Sequence, residues 1–259
     1  MNIVVLVKQV PDTWAERKLK DSDKTLDRAS VDVVMNEIDE YAVEEALRIK
    51  EAQGGEVTIL TMGPERATET IRKALSMGAD KAVHVVDDAL AGSDAVQTSV
   101  ALAKAIEGLE HDLVIVGSEA TDSRMAVMGA LLAERLGLPQ LTGARKLTLD
   151  GGTATIERLT DNGYAVVTAP TPAIVSVVEK INEPRYPSFK GIMAAKNKPL
   201  ETKSLADLGI EAGSVGLANA PSQVESFATK PPRQAGQIVK DEGDGGAKVA
   251  EFLASQKFV

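Results

Sequence analysis

Proton chemistry in this chain has few places to start. The two histidines, His84 and His111, are the side chains that titrate near neutrality, and they stand far apart in sequence. His84 lies inside an apolar run and His111 just before another, so both read as structural. There is no cysteine, which removes thiolate metal sites, cysteine nucleophiles and disulfides. Searches for His-x-x-x-His, Gly-x-Ser-x-Gly and a Walker loop find nothing. Gly243-Asp244-Gly245-Gly246-Ala247-Lys248 has the look of a phosphate loop, but no strand precedes it and it reads as a flexible linker.

The segment Gly117-Ser118-Glu119-Ala120-Thr121-Asp122-Ser123-Arg124 carries more information. It leaves the apolar run Leu113–Val116 and opens a helical pattern. A loop from strand to helix offers backbone N–H groups and partial positive charge to a phosphate, to which Arg124 adds a full charge. The same residues also suit a plain polar connection capped by Asp122. Both readings stay open on composition alone.

The elements that would position this loop follow from apolar periodicity. Ile3–Val7, Val57–Met62, Ala82–Val86 and Leu113–Val116 are short β-branched runs that alternate with helix-period segments. That alternation predicts an α/β fold with a doubly wound, mostly parallel sheet. The first helix is expected to start at Asn36 as cap, to bury Ile38, Ala42, Val43, Ala46 and Leu47, and to end near Gly54-Gly55. A second follows Gly63-Pro64 and closes at Gly78 in a left-handed conformation. A third, from about Asp94 to Glu107, turns Val96, Val100, Ala103 and Ile106 inward, and a fourth runs from near Asp122-Ser123 to Gly137. After Pro139 the period changes to strands at Lys146–Leu149, Thr153–Arg158 and Ala165–Thr168, split by Gly151-Gly152 and Asn162-Gly163, which reads as a β-hairpin or meander insertion. Ala173–Val178 is expected to rejoin the main sheet.

From about residue 187 onward Lys, Pro, Gly and Ser dominate, and only Val249–Leu253 hints at a helix. The expectation is an α/β domain over 1–186, followed over 187–259 by a docking loop and an extended C-terminal arm ordered by a partner.

Whole-chain composition narrows the classes further. The 259 residues suit one large α/β domain with an appendage, and aromatic residues at 3% suit helices on an aliphatic sheet. With 29 basic against 38 acidic residues the net charge is −9, which argues against charge-driven binding of nucleic acid or anionic membrane. The start, Met1-Asn2-Ile3-Val4-Val5-Leu6-Val7-Lys8, reads as a strand rather than a signal peptide. No apolar stretch approaches the roughly 18–20 residues that span a bilayer; the expectation is a soluble, cytoplasmic protein with no membrane insertion.

Several segments together carry a resemblance. Glu69-Thr70-Ile71-Arg72-Lys73-Ala74-Leu75-Ser76-Met77-Gly78-Ala79-Asp80, then Ala82-Val83-His84-Val85, resembles the β subunit of electron transfer flavoprotein. Asn182-Glu183-Pro184-Arg185-Tyr186-Pro187-Ser188 is similar to that family's Asn-x-Pro-Arg-Tyr signature. Val7-Lys8, Asn36, Ala42-Val43-Glu44-Glu45-Ala46, the Gly117 to Gly129 loop and Pro231-Pro232-Arg233 fall in the same order, so the resemblance spans nearly the whole chain.

The resemblance implies a fold of the adenine-nucleotide-binding type and a heterodimer whose α subunit holds most of an FAD. This chain would bind AMP and have no catalytic residues of its own. Electrons would come from dehydrogenases of the acyl-CoA type, in fatty acid β-oxidation, and pass toward a membrane quinone oxidoreductase. Carried over by position, the AMP site would use Leu6, Lys8, Asn36, Asp39 and Met62, with the phosphate on Gly117, Ala120, Thr121, Asp122, Ser123, Arg124, Val127 and Met128. Tyr186, Phe189, Ile192 and Met193 would dock the dehydrogenase, with Phe189 as apolar anchor. Members with a second, redox-active FAD carry an Asp-Gly-Asp-Thr-Ala-Gln type loop, whereas this chain reads Asp122-Ser123-Arg124-Met125-Ala126-Val127, which favours AMP. The family's Glu-Arg-Glu segment appears as Glu157-Arg158-Leu159, and Thr13 and Ile38 stand where relatives place aromatics near the flavin. The rivals are an adenine-nucleotide hydrolase or stress-type ATP-binding protein, which needs a free base and a phosphate cradle, and a purely structural interaction protein.

Overall fold

A computed structural model describes residues 1–233, 236 and 238–259. By its contacts the chain forms two compact units, Met1–Glu225 and Ser226–Val259.

In the first unit the chain runs through β1 (Asn2–Leu6), β2 (Gln9–Pro11), β3 (Val33–Met35), α1 (Glu37–Gln53), β4 (Glu56–Met62), α2 (Thr68–Met77), β5 (Lys81–Val85), α3 (Ala95–Glu107), β6 (Leu113–Gly117) and α4 (Met128–Leu136). It continues with β7 (Gln140–Asp150), β8 (Thr153–Thr160), β9 (Gly163–Pro170), β10 (Ala173–Val177), α5 (Phe189–Ala195) and β11 (Leu200–Lys203). One nine-stranded sheet has the order β11-β5-β4-β1-β6-β10-β7-β8-β9. Every pair from β11 to β7 is parallel, and β8 and β9 add an antiparallel meander. β10 rejoins the main sheet between β6 and β7 as expected.

The period-2 alternation of β1 divides the core. Ile3, Val5 and Val7 pack with Ala42, Val43, Ala46 and Leu47 of α1 and Ile71, Ala74 and Leu75 of α2. Val4 and Leu6 point the other way, into Ala101, Leu102 and Ile106 of α3 and Leu132 and Ala133 of α4. Two-sided burial is what lets these strands be apolar at successive positions. The chain moves from β1 through β4 and β5 to one side, then returns to β6 on the other, so the loops leaving β1 and β6 diverge at a topological switch point.

Three local expectations are corrected. The fourth helix begins at Met128 rather than near Asp122, because Arg124 and Ala126 adopt φ of +50° and +55°, which no α-helix accommodates. Val96 is exposed rather than inward, since its position on α3 falls outside the arc that faces the sheet. Residues 189–203 form a helix and an edge strand of the main sheet rather than an extended arm. Leu200 and buried Ala195 join the α1–α2 core cluster, contacts too few and too spread to show a period.

In the second unit α6 (Gly245–Ser255) starts inside the segment read as a linker. The Asp241 carboxylate accepts the N–H groups of Gly243 and Gly245 at 2.8 Å each and so supplies partners for the helix entry. Among the described residues no helix is long and apolar enough to cross a membrane.

Candidate functional site

The carboxyl ends of β1 and β6 meet the start of α1 in one crevice. Gly117 closes β6 so near to α1 that a Cβ there would collide with the Asp39 carboxylate and the Ile38 backbone, which is the close approach that only glycine allows. Asp39 is buried and accepts the Lys8 N–H at 2.8 Å. Burial pushes its carboxyl up to about 7, although Asn36, Lys8 and the Gly117 N–H all favour the charged form.

Asn36 sits at the expected cap position but does not cap α1 with its side chain. It is fully buried, donates from Nδ2 to the Glu119 carbonyl at 3.0 Å and accepts the Thr121 N–H at 3.0 Å. The demand it meets is therefore that of the loop more than eighty residues away. Without it, a part-buried carbonyl and a buried N–H would lose these partners.

Asp122 does not cap a helix either. Its side chain is completely buried, with Lys8 Nζ at 2.9 Å on one oxygen and the Arg28 guanidinium at 2.5 Å on the other. Burial alone would raise its carboxyl, but Lys8 and Arg28 outweigh that and hold it below the usual carboxylate range. Arg28 is the residue that sequence reading missed. It lies between β2 and β3, in a stretch without periodicity, and the only sequence signal was the need of a buried acid for a counter-charge.

The crevice thus brings together Leu6, Lys8, Asn36, Asp39, Gly117, Ala120, Thr121 and Asp122. Ala120 takes part through its carbonyl, which accepts the N–H groups of Ser123 and Arg124 at 3.2 and 2.8 Å. Ser123 and Arg124 are exposed, and the Arg124 guanidinium lies 3.5 Å from Glu119. Val127 and Met128 stand at the entry of α4. Met62 ends β4 at the same edge of the sheet, packed partly into the α3–α4 core.

Two features fit a phosphate ester. Two cations, Lys8 and Arg28, face one carboxylate, Asp122, which leaves the group one positive charge in excess. The hydroxyl of Thr121, a residue only 6% exposed, has no hydrogen-bond partner among the described residues, and a buried hydroxyl normally has one. Neither crevice carboxylate is free among the described residues: Asp122 is doubly paired, and Asp39, though raised to about 7, accepts the Lys8 and Gly117 N–H groups. His84 is buried and bonded through Nε2 to the Gly63 carbonyl at 3.0 Å, with burial lowering its pKa. The His111 ring contacts the Leu109 carbonyl at 2.8 Å.

A second group of expected residues gathers elsewhere. Tyr186 and Phe189 are 95% and 80% exposed, and Ile192 and Met193 are each 48% exposed. Phe189, Ile192 and Met193 stand at i, i+3 and i+4 on α5 and so share one face. Ser188 caps this helix, accepting the Gly191 N–H at 3.1 Å. Arg185, just upstream, pairs with Glu44 at 2.7 Å and Glu51 at 2.5 Å on α1.

The sequence of the electron transfer flavoprotein domain, as a family, matches residues 23–208. The electron transfer flavoprotein subunit beta of Mycobacterium tuberculosis is 56% identical over 264 aligned residues, covering 100% of this chain and 99% of the relative. That of Thermoanaerobacterium thermosaccharolyticum is 42% identical, covering 92% of each chain. Subunit CarD of the caffeyl-CoA reductase-Etf complex of Acetobacterium woodii is 36% identical, again over 92% of each. With a matched domain over most of the chain and full-length identity at this level, the protein belongs to the β-subunit family of the electron transfer flavoproteins, a flavin-associated family of electron carriers.

Proposed function

We propose that this chain binds AMP in the β1–β6 crevice and, paired with an α subunit that holds most of an FAD, forms a cytoplasmic electron carrier without catalytic residues of its own. Dehydrogenases of the acyl-CoA type, as in fatty acid β-oxidation, would dock on Tyr186, Phe189, Ile192 and Met193 and reduce the flavin. A membrane quinone oxidoreductase would accept the electrons. The name of the Acetobacterium relative, a subunit of a caffeyl-CoA reductase-Etf complex, supports a redox partner that acts on CoA compounds.

The observation that carries the nucleotide reading is the unpartnered Thr121 hydroxyl beside the Lys8–Asp122–Arg28 group at the switch point. A phosphate oxygen would accept from the hydroxyl, and the excess positive charge would offset the charge of the ester. The hydrolase alternative is disfavoured because Asp122, the carboxylate best placed to act as a base, is held ionised and doubly paired by two cations.

Mass spectrometry of small molecules released from the denatured chain tests this. About one AMP per chain, and colourless protein until the α subunit is co-expressed, is expected. Release of a nucleoside triphosphate with turnover, or stoichiometric FAD in the chain alone, would overturn the reading.

A further inference from the structure

A helix as short as α5 must be held in place by its neighbours. Seven residues bury too little to fix a helix unaided, yet this one presents three large apolar side chains to solvent. Its upstream end is tied to α1 by the Arg185 pairs and by Asn182, which donates to the Tyr41 carbonyl at 3.1 Å and to Glu45 at 3.0 Å. At its downstream end the ties run to α2, and they are reciprocal. Arg72 on α2 donates to the carbonyls of Ala195 and Lys198, at 2.6 and 3.1 Å. Lys198 in turn donates from Nζ to the carbonyls of Leu75 and Ala79, at 2.9 and 2.5 Å. Arg72 thus satisfies the carbonyl that ends α5, and Lys198, three residues past that end, satisfies a carbonyl in the last turn of α2, where the helix dipole favours positive charge.

Gly191 lets the two helices approach closely enough for this exchange, because a Cβ there would strike the Ser76 carbonyl. The Pro199 carbonyl then accepts the Ala82 N–H at 3.0 Å and leads the chain into β11. A partner that docks on α5 meets a helix whose orientation is already set, and binding need not supply the ordering cost.

We propose that Arg72 and Lys198 are positioning residues for electron transfer, which lock α5 onto α2 so that Phe189, Ile192 and Met193 face a donor enzyme in one prepared orientation. This rests on the docking reading given above. Neither residue contacts the nucleotide crevice, and neither side chain belongs to the apolar face it positions.

The test uses the full chain co-expressed with its α subunit, and follows flavin reduction by a short-chain acyl-CoA dehydrogenase with butyryl-CoA. If loss of one cation leaves α5 correctly placed about a tenth of the time, the half-saturating concentration of the carrier rises about tenfold with little change in the maximal rate. Arg72→Met and Lys198→Met are each expected to do this with nucleotide and flavin content unchanged. Hydrogen exchange should quicken at the amides of residues 191–197. In a Phe189→Ala background Arg72→Met should add less than about twofold, because the effect passes through the same ring.

Unchanged half-saturation in both Met variants, with Phe189→Ala still impaired, would overturn the positioning role and leave docking intact. Full additivity of Arg72→Met and Phe189→Ala would also overturn it, by showing a separate destabilisation. Normal kinetics in Phe189→Ala would remove docking on α5, and the positioning role with it.

Discussion

At Asp39 two demands on one side chain conflict. The carboxyl must stand where the ends of β1 and β6 meet α1, because it accepts the Lys8 N–H there, and that place is almost fully buried. Burial wins, and the pKa rises from 3.8 to about 7. The folded state therefore holds a proton that the unfolded chain releases between these two values. Stability from this group is greatest below about pH 4 and declines as pH rises toward 7. Lys8 is the charged neighbour that limits the rise. Asp39→Asn cannot ionise, so the melting-temperature advantage of the native protein over this variant should shrink as pH is raised from 4 to 7. A widening gap over that range would mean that the carboxyl is held ionised instead. Asn36 and Asp39 were legible as candidates through the family resemblance. Their actual roles were not, because each bonds to a partner brought near only by the sheet. Arg28 was illegible for the same reason, since nothing local to residues 12–32 announces that Asp122 is buried beside it.

The elements whose burial is continuous were the legible ones. β1, β4, β5 and β6 bury side chains at nearly every position, and α1 to α3 keep a full apolar face, so periodicity alone locates them to within a few residues. The Gly117 loop escapes such reading, because Asp122, Ser123 and Arg124 look like a helix entry while the backbone from Arg124 to Ala126 twice visits positive φ. An L-residue there costs about 1–2 kcal/mol, against roughly 0.5–1 kcal/mol for the extra chain entropy that glycine loses. Ala126→Gly should therefore stabilise the chain by up to about 1 kcal/mol, read from urea denaturation, with nucleotide content unchanged. Destabilisation would show that the Ala126 methyl makes contacts worth more than the strain. Arg124→Gly separates the two contributions of that residue, relieving the same strain while deleting a charge. It is expected to keep or raise stability of the nucleotide-free chain and to lower AMP retention. Equal AMP retention would remove Arg124 from the phosphate site. α5 and β11 illustrate the opposite difficulty: at seven and four residues they carry too few apolar positions for any period, and their order comes from Arg72, Lys198 and the sheet edge.

For the whole chain, the division at Glu225 has a direct consequence. Everything that builds the β1–β6 crevice and mounts α5 belongs to Met1–Glu225, including the strand β11 that completes one edge of the sheet. The unit Ser226–Val259 is composed differently. Its α6 leaves Val249 and Phe252 more than half exposed, and Ile238, Phe258 and Val259 are exposed more fully still. An isolated helix of eleven residues is marginal in water, and apolar side chains left open along such a segment mark a surface that another protein covers. The expectation under test is that this unit grips the α subunit. A chain ending at Glu225 should then melt as cooperatively as the full chain and release the same nucleotide on denaturation. It should fail to hold a co-expressed, tagged α subunit through size-exclusion chromatography, and no flavin should elute with it. Substituting Val249 and Phe252 together by serine should weaken the heterodimer in the full-length chain in the same direction, without altering nucleotide content. Retention of a stoichiometric, yellow complex by the truncated chain would place the α-subunit contact wholly within the first unit. Loss of cooperative melting would show instead that Ser226–Val259 completes the fold itself, and the two outcomes are separated by circular dichroism before any binding is measured.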